Sequence, residues 1–374
     1  MELILKKYDV AAYIWPAYTG DEPRTRIFWK DGIGEWQSVK SANKRFEEHI
    51  WPRKPLWGYV NEADPKVMEM QIDQAYKHGV NVFIYDWYWY DNRPFLENCL
   101  NDGYLKAKNN DKVKFYIMWA NHNANNVWNK DLSDDYGDVI NWNGAVSLDV
   151  FKNIVDRTIE KYFKHPSYYK IDGMPVYSIY ELKNFVNGLG GIEKAKEGIE
   201  YFRNQTIKAG FKGLHLQLIA WGKNNLNVSG VDSNGNDCTV SFEELGFDSI
   251  TNYQYCHLTN VDRDYLDVLK DVKKEFDRID KEYKTTYFPH ATIGWDNTPR
   301  FKRNRGSICY NNTPENFEKA LRLAKDYVDT HDLPCNLITI NSWNEWTESS
   351  YLEPDDIYGY GYLEAIKKVF KDQI

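Results

Sequence analysis

The chain has 374 residues, a formal net charge of −8, and 14 Trp, 28 Tyr and 17 Phe. That acidic balance argues against nucleic-acid partners, whose phosphates need a basic surface. No apolar run reaches the length of a membrane span.

Five cysteines (Cys99, Cys238, Cys256, Cys309 and Cys335) are scattered without a C-x-x-C pair, so neither a disulfide framework nor a zinc site is supported. Reduced thiols are the simplest reading. The N-terminal stretch Met1 to Lys7 lacks the basic start and apolar core of a signal peptide. A cytoplasmic location is therefore expected, or a periplasmic or secreted one if a leader has been removed.

In chain order, eight short apolar and aromatic runs read as buried strands. They are Val10 to Trp15, Val80 to Tyr85 leading into Asp86–Trp89, Val113 to Trp119, Met174 to Tyr180, Leu214 to Trp221, Ser249 to Tyr255, Tyr287 to Trp295 and Asn336 to Trp346. Helical patterns fill the gaps. Asp64-Pro65 is a cap followed by a first-turn proline, and the stripe Val67, Ile72, Ala75 runs up to Gly79. Further helices are expected near 147–164, 191–210, 260–284, 314–331 and 361–371. Eight strand–helix alternations predict a single α/β domain over 1–374, a (β/α)8 TIM-type barrel. The rival, an open doubly wound sheet, lacks a Gly-rich phosphate turn after the first strand. Insertions at about 16–62, 121–146 and 222–245 follow strands. In a barrel they rise as long loops from the C-terminal face, where catalytic groups gather.

Strand ends collect aromatic and hydrogen-bonding residues together: Tyr13 and Trp15; Asp86, Trp87 and Trp89; Trp119, Asn121 and His122; Tyr180 and Glu181; Trp221; Tyr253 and Tyr255; Trp295 and Asp296. Sugar rings stack their C–H faces on aromatics and offer hydroxyl edges to such polar partners. These positions are candidate saccharide-binding groups. Each also has a plainer reading as a cap, loop anchor or core lid. Tyr253 and Tyr255 alternate and are expected to face the same way.

The last strand leads into Asn341-Ser342-Trp343-Asn344-Glu345-Trp346-Thr347-Glu348. Two carboxylates three residues apart, wrapped in Trp343 and Trp346, suit glycosidic-bond chemistry. One carboxyl, its pKa raised by an apolar wall, donates a proton while the other stays charged. Glu345 and Glu348 are the candidate catalytic pair, with Trp343, Asn344 and Trp346 counted among the substrate-binding positions. No metal or cofactor is required. Asp232 to Asp237 resembles half a calcium loop without its distal Glu and reads as an Asx-rich turn. Asp262-Arg263-Asp264 is formally a D-x-D but opens a helix, and Asn204, Asn227 and Asn311 begin sequons without meaning in a cytoplasmic or bacterial protein.

The chain resembles glycoside hydrolase family 99-like proteins, in the WbsX-type branch often described as a glycosyltransferase. Asp64-Pro65, Gly79 with Tyr85 to Trp89, Trp119-Ala120-Asn121, His165 to Tyr169 with Gly173 to Val176, Gly246-Phe247-Asp248 and Ser342 to Glu348 carry the likeness. The resemblance implies a retaining barrel enzyme acting on glycans. It gives Glu345 the role of base toward the sugar's own 2-hydroxyl, through a 1,2-anhydro intermediate, and Glu348 that of general acid and then base. The chain departs from the family's mannosidases in having Ser349-Ser350-Tyr351 where they have Gly-Thr-Gln.

The expected function is an endo-acting glycoside hydrolase of a bacterial surface or dietary polysaccharide. The alternatives are a glycosyltransferase of O-antigen or lipopolysaccharide synthesis and an inactive carbohydrate-binding barrel.

Overall fold

The computed structural model describes residues 7–20, 22–222, 225–231, 235–303 and 306–371. β1 (Asp9–Ile14) pairs in parallel with β2 (Val82–Tyr90), β2 with β3 (Lys114–Trp119), and β3 with β4 (Met174–Ile179). β4 pairs with β5 (His215–Ile219), and β5 with β6 (Ser249–Thr251). β7 comes in two pieces. Thr286–Tyr287 lies beside β6, and His290–Thr292 lies beside β8 (Leu337–Asn341), which returns to β1 and closes the ring. The fold is the expected (β/α)8 barrel.

The sequence predicts one unbroken seventh strand, but Phe288-Pro289 divides it. Proline has no N–H for a ladder, although its carbonyl still accepts from Thr339 N at 3.1 Å. Three other strands stop two or more residues short of the prediction, at Ile219, Thr251 and Asn341. The segments beyond them are freed as loop, and those segments build the site.

Strands buried on both faces account for the continuous apolar runs, and every residue of β2 is buried. Helices Pro65–His78, Leu148–Thr158, Ile192–Lys208, Tyr265–Glu282 and Pro314–Thr330 cover the ring. The first is fixed at one end by Asp64, which accepts from Lys66 N at 2.8 Å. It stops at Gly79, whose φ of 97° suits a residue without Cβ.

Among the described residues no helix is long and apolar enough to cross a membrane, and all five cysteines are free thiols. Asp232, Ser233 and Asn234 of the half calcium loop lie outside the described residues.

Candidate functional site

A cavity of about 450 Å³ opens at the C-terminal mouth of the barrel. Trp15, Tyr88, Trp128, Tyr180, Trp221 and Tyr253 form its aromatic walls, with Asp86, His122, Glu181, Arg300, Glu345 and Glu348 among them. The alternation of a strand decides which residues of β2 take part. Asp86 and Tyr88 face the cavity, while the intervening residues point outward toward the helices.

Glu345 and Glu348 are brought together by a short 3₁₀ turn, Trp346–Glu348. Side chains three apart in that geometry lie on one side. The backbone N–H of Glu345 donates to Ser342 Oγ at 2.8 Å. Its carboxylate accepts from Tyr253 Oη at 3.0 Å, Asn341 Nδ2 at 3.3 Å and Arg300 Nη2 at 3.3 Å. Arg300 Nη1 also donates to Glu348 Oε1 at 2.5 Å, and Nε reaches Thr347 Oγ1 at 3.0 Å and Glu35 Oε1 at 3.4 Å. One guanidinium thus clamps three buried carboxylates. Asp296 steadies its loop by accepting from Thr298 N at 3.0 Å and meeting His49 Nε2 at 2.7 Å.

Burial, together with the charge of Glu345, holds the Glu348 carboxyl well above the ordinary carboxylate range, against the pull of Arg300. Burial and the same Glu345 charge push Asp86 up as well. Tyr253 Oη lies 2.9 Å from Asp86 Oδ2 and 3.0 Å from Glu345 Oε2. A hydroxyl has one proton and cannot donate to both. A protonated Asp86 donating to Tyr253, which donates to Glu345, satisfies all three. Two buried oxygens are then left over: among the described residues Asp86 Oδ1 and Glu348 Oε2 have no hydrogen-bond partner. Burial lowers the His122 pKa. Its Nδ1 lies 2.9 Å from the Asn123 carbonyl, which can only accept, so the neutral ring carries its proton there.

A second carboxylate pair lies sealed beneath the motif. Glu62 accepts from Asn344 Nδ2 at 2.8 Å and Gln71 Nε2 at 3.1 Å. Glu353 accepts from Gln71 Nε2 at 2.7 Å and Trp346 Nε1 at 2.6 Å. Burial pushes Glu62 up to about 7 and Glu353 well above its usual range. No cation is bonded to either among the described residues.

Of the positions singled out in the sequence, Trp15, Asp86, His122, Tyr180, Glu181, Trp221, Tyr253, Glu345 and Glu348 line the cavity. The others do not, and each has a structural reason. Trp87 donates to Glu97 at 2.7 Å on the outer face, where Trp89 packs beside it at 5.8 Å. Trp119 stacks on Phe151 under a covering helix. Trp343 packs on Phe83 and donates to Gln71. Trp346 stacks on Tyr351 at 3.8 Å.

Tyr13 lies inside the barrel, donating to the Asn252 carbonyl beneath Tyr253. β6 ends before Tyr255, so strand alternation does not govern it, and its hydroxyl turns inward to the His290 carbonyl at 3.2 Å. Trp295 packs near Tyr255, Tyr265 and Cys309. Asn121 clamps the Glu181 backbone, accepting from its N–H at 2.7 Å and donating to its carbonyl at 2.8 Å. Asn344 does the same for Trp15, accepting from its N–H at 2.8 Å and donating to its carbonyl at 2.9 Å.

Sequence reasoning missed Arg300 and Glu35, which come from loops with no local pattern. It also missed Tyr88, which the period of two would have found. Within Asp262-Arg263-Asp264, Asp264 caps a helix by accepting from Leu266 N at 2.8 Å, and Asp262 accepts from Ile308 N at 3.1 Å.

This closed barrel with its cavity at the C-terminal mouth has a glycoside-hydrolase-like fold. It is similar to the GH99 endo-alpha-mannosidase from Bacteroides thetaiotaomicron, with TM-score 0.56 and 14% identity over 96% of this chain and 95% of that one. It is also similar to a glycoside hydrolase-like protein, with TM-score 0.60 and 16% identity over 98% and 95%. At these identities the likeness is one of fold. The chain itself belongs to the family described as Glycosyltransferase WbsX, which matches residues 10–366. It is 25% identical over 350 residues to the uncharacterised protein WxcX of Xanthomonas campestris pv. campestris, covering 92% of this chain and 47% of that one. The chain therefore spans about half the length of the curated relatives it matches.

Proposed function

We propose that this barrel cleaves glycosidic bonds within an oligo- or polysaccharide, with retention of configuration, using Glu345 and Glu348. The observation that carries this reading is the unequal treatment of two neighbouring carboxyls at one open cavity. Glu345 is surrounded by three donors, whereas Glu348 has one oxygen on Arg300 and the other unpartnered. A carboxyl held up by burial keeps its proton near neutrality and serves as general acid.

Following the family resemblance, Glu345 takes the proton of the sugar 2-hydroxyl. Its oxygen closes on C1 while the leaving oxygen accepts the proton of Glu348. Water then opens the anhydro ring, giving its proton to Glu348 as O2 recovers one from Glu345. Asp86 Oδ1 and the aromatic walls offer the ring a polar contact and stacking surfaces.

The test is turnover of purified polysaccharides, read by product mass. Glu345→Gln and Glu348→Gln are each expected to lose on the order of 10²–10⁴ in rate without unfolding. Wild-type turnover by both variants overturns the assignment.

The family's description favours a second reading, transfer from an activated sugar donor. Saturable binding of a nucleotide sugar, with product formed only in its presence, distinguishes transfer from hydrolysis.

A further inference from the structure

Away from the carboxylate cavity, a basin of about 530 Å³ opens where the helix Trp36–Lys40, the turn around Lys130 and the loop at Lys302 meet. We propose that this basin binds an oxyanion of the phosphate or pyrophosphate class.

Its walls present the amines of Lys40, Lys130 and Lys302 with the hydroxyls of Ser38 and Ser41. Lys130 Nζ donates to the Ser41 carbonyl at 2.6 Å and to its Oγ at 3.1 Å. Arg45, from the same long insertion, spends its guanidinium on the carbonyls of Thr298, Phe301 and Lys302. Lys40 rests over the Tyr59 ring at 4.6 Å. Among the described residues Lys40, Arg45 and Lys130 have no carboxylate within ion-pair distance, whereas Lys302 has Asp131. Asp31 and Asp131 also line the basin. Asp131 is already engaged by Lys302 at 2.6 Å and Lys30 at 3.6 Å.

The basin's wall thus carries three lysines against two aspartates, with Arg45 beside it, a local excess of positive charge in a chain whose net charge is −8. Burial first, then the nearby charges of Arg45 and Lys302, pull the Lys130 amine down to about 8, against the opposite pull of Asp131 and Asp134. A multiply charged oxyanion would relieve that repulsion, and its several acceptors match the lysine amines and the Ser38 hydroxyl. A neutral sugar would leave the excess charge uncompensated. Lys130 and Lys302 stand two residues from Trp128 and Arg300, which line the main cavity. An anion here would tie together the two segments that carry those groups.

Calorimetry on the full chain near neutral pH, with inorganic phosphate, pyrophosphate and uridine diphosphate against sodium chloride at matched ionic strength, tests the proposal. Pyrophosphate is expected to bind saturably. Lys130→Met and Lys302→Met should each weaken it about tenfold or more with the melting temperature of the free protein little changed, and Lys130→Arg should restore most of the affinity. Uridine diphosphate binding more tightly than pyrophosphate, and lost in the same variants, means the group arrives on a nucleotide. Equal affinity means a bare oxyanion suffices. No saturable heat from any of the three, or methionine variants that bind as well as the wild type, overturns the proposal.

Discussion

Glu345 with Glu348, and Glu62 with Glu353, are both buried carboxylate pairs touching the same tryptophan-rich motif. Yet they are built for opposite ends. In the sealed pair the hydrogen-bond partners are neutral amides, an indole and the Cys99 thiol. Nothing there is left for an outside molecule. In the open pair a guanidinium bridges both acids, a cavity lies in front, and Glu348 Oε2 goes unmatched. A paired carboxylate beside tryptophan is thus a poor marker of chemistry on its own. The informative feature is the hydrogen-bonding capacity the fold leaves unused, since native interiors rarely leave any.

Substitutions can break this contrast or sharpen it. The largest effect is expected from Glu345→Gln and Glu348→Gln, which abolish most turnover while the melting curve stays in place. The same isosteric change at Glu62 or Glu353 should leave rates within severalfold, because these positions touch no substrate. Equal losses at both pairs would erase the distinction.

Next comes Arg300→Met, which leaves Glu35, Glu345 and Glu348 without their shared cation. Removing one partner of a buried ion pair costs about 3–5 kcal/mol, visible in denaturant unfolding. Arg300 also holds Glu348 down. Its removal raises that carboxyl further, so the alkaline limb of the kcat/KM profile should move to higher pH.

Of similar size is Glu353→Ala, which strands the Trp346 indole N–H and a Gln71 amide proton at about 1–3 kcal/mol each, read by thermal melting.

The smallest effect is in pH dependence. Glu62 is raised to about 7 in the folded chain. Between its unfolded value, about 4.3, and that point the folded state holds the extra proton. The stability it contributes is full at low pH and is lost as pH rises through about 7. Melting temperature should fall across that window, and less steeply in Glu62→Gln.

Much of the barrel was legible because strands buried on both faces need unbroken apolar runs, and Asp64-Pro65 and Asn312-Thr313-Pro314 are strong helix starts. Pro289 was in view, but reading 287–295 as one run overlooked its missing N–H. At the site, composition points to the strand ends but not to which side chains turn inward. Trp87, Trp89 and Trp119 were read from their aromatic character, whereas strand alternation sends them to the outer face. Arg300 and Glu35 were out of reach, since 265 positions separate them and only the folded ring brings them together.

Asn344 occupies the place a neighbouring strand would take, with its amide meeting both the N–H and the carbonyl of Trp15. A side chain standing in for backbone pins the start of the Glu345–Glu348 segment to the barrel rim. From the other side Ser350–Tyr351 pairs back onto Asn344–Glu345, so the two acids are held in register by the strand before them and the strand after. The anchor itself stands outside the cavity it steadies.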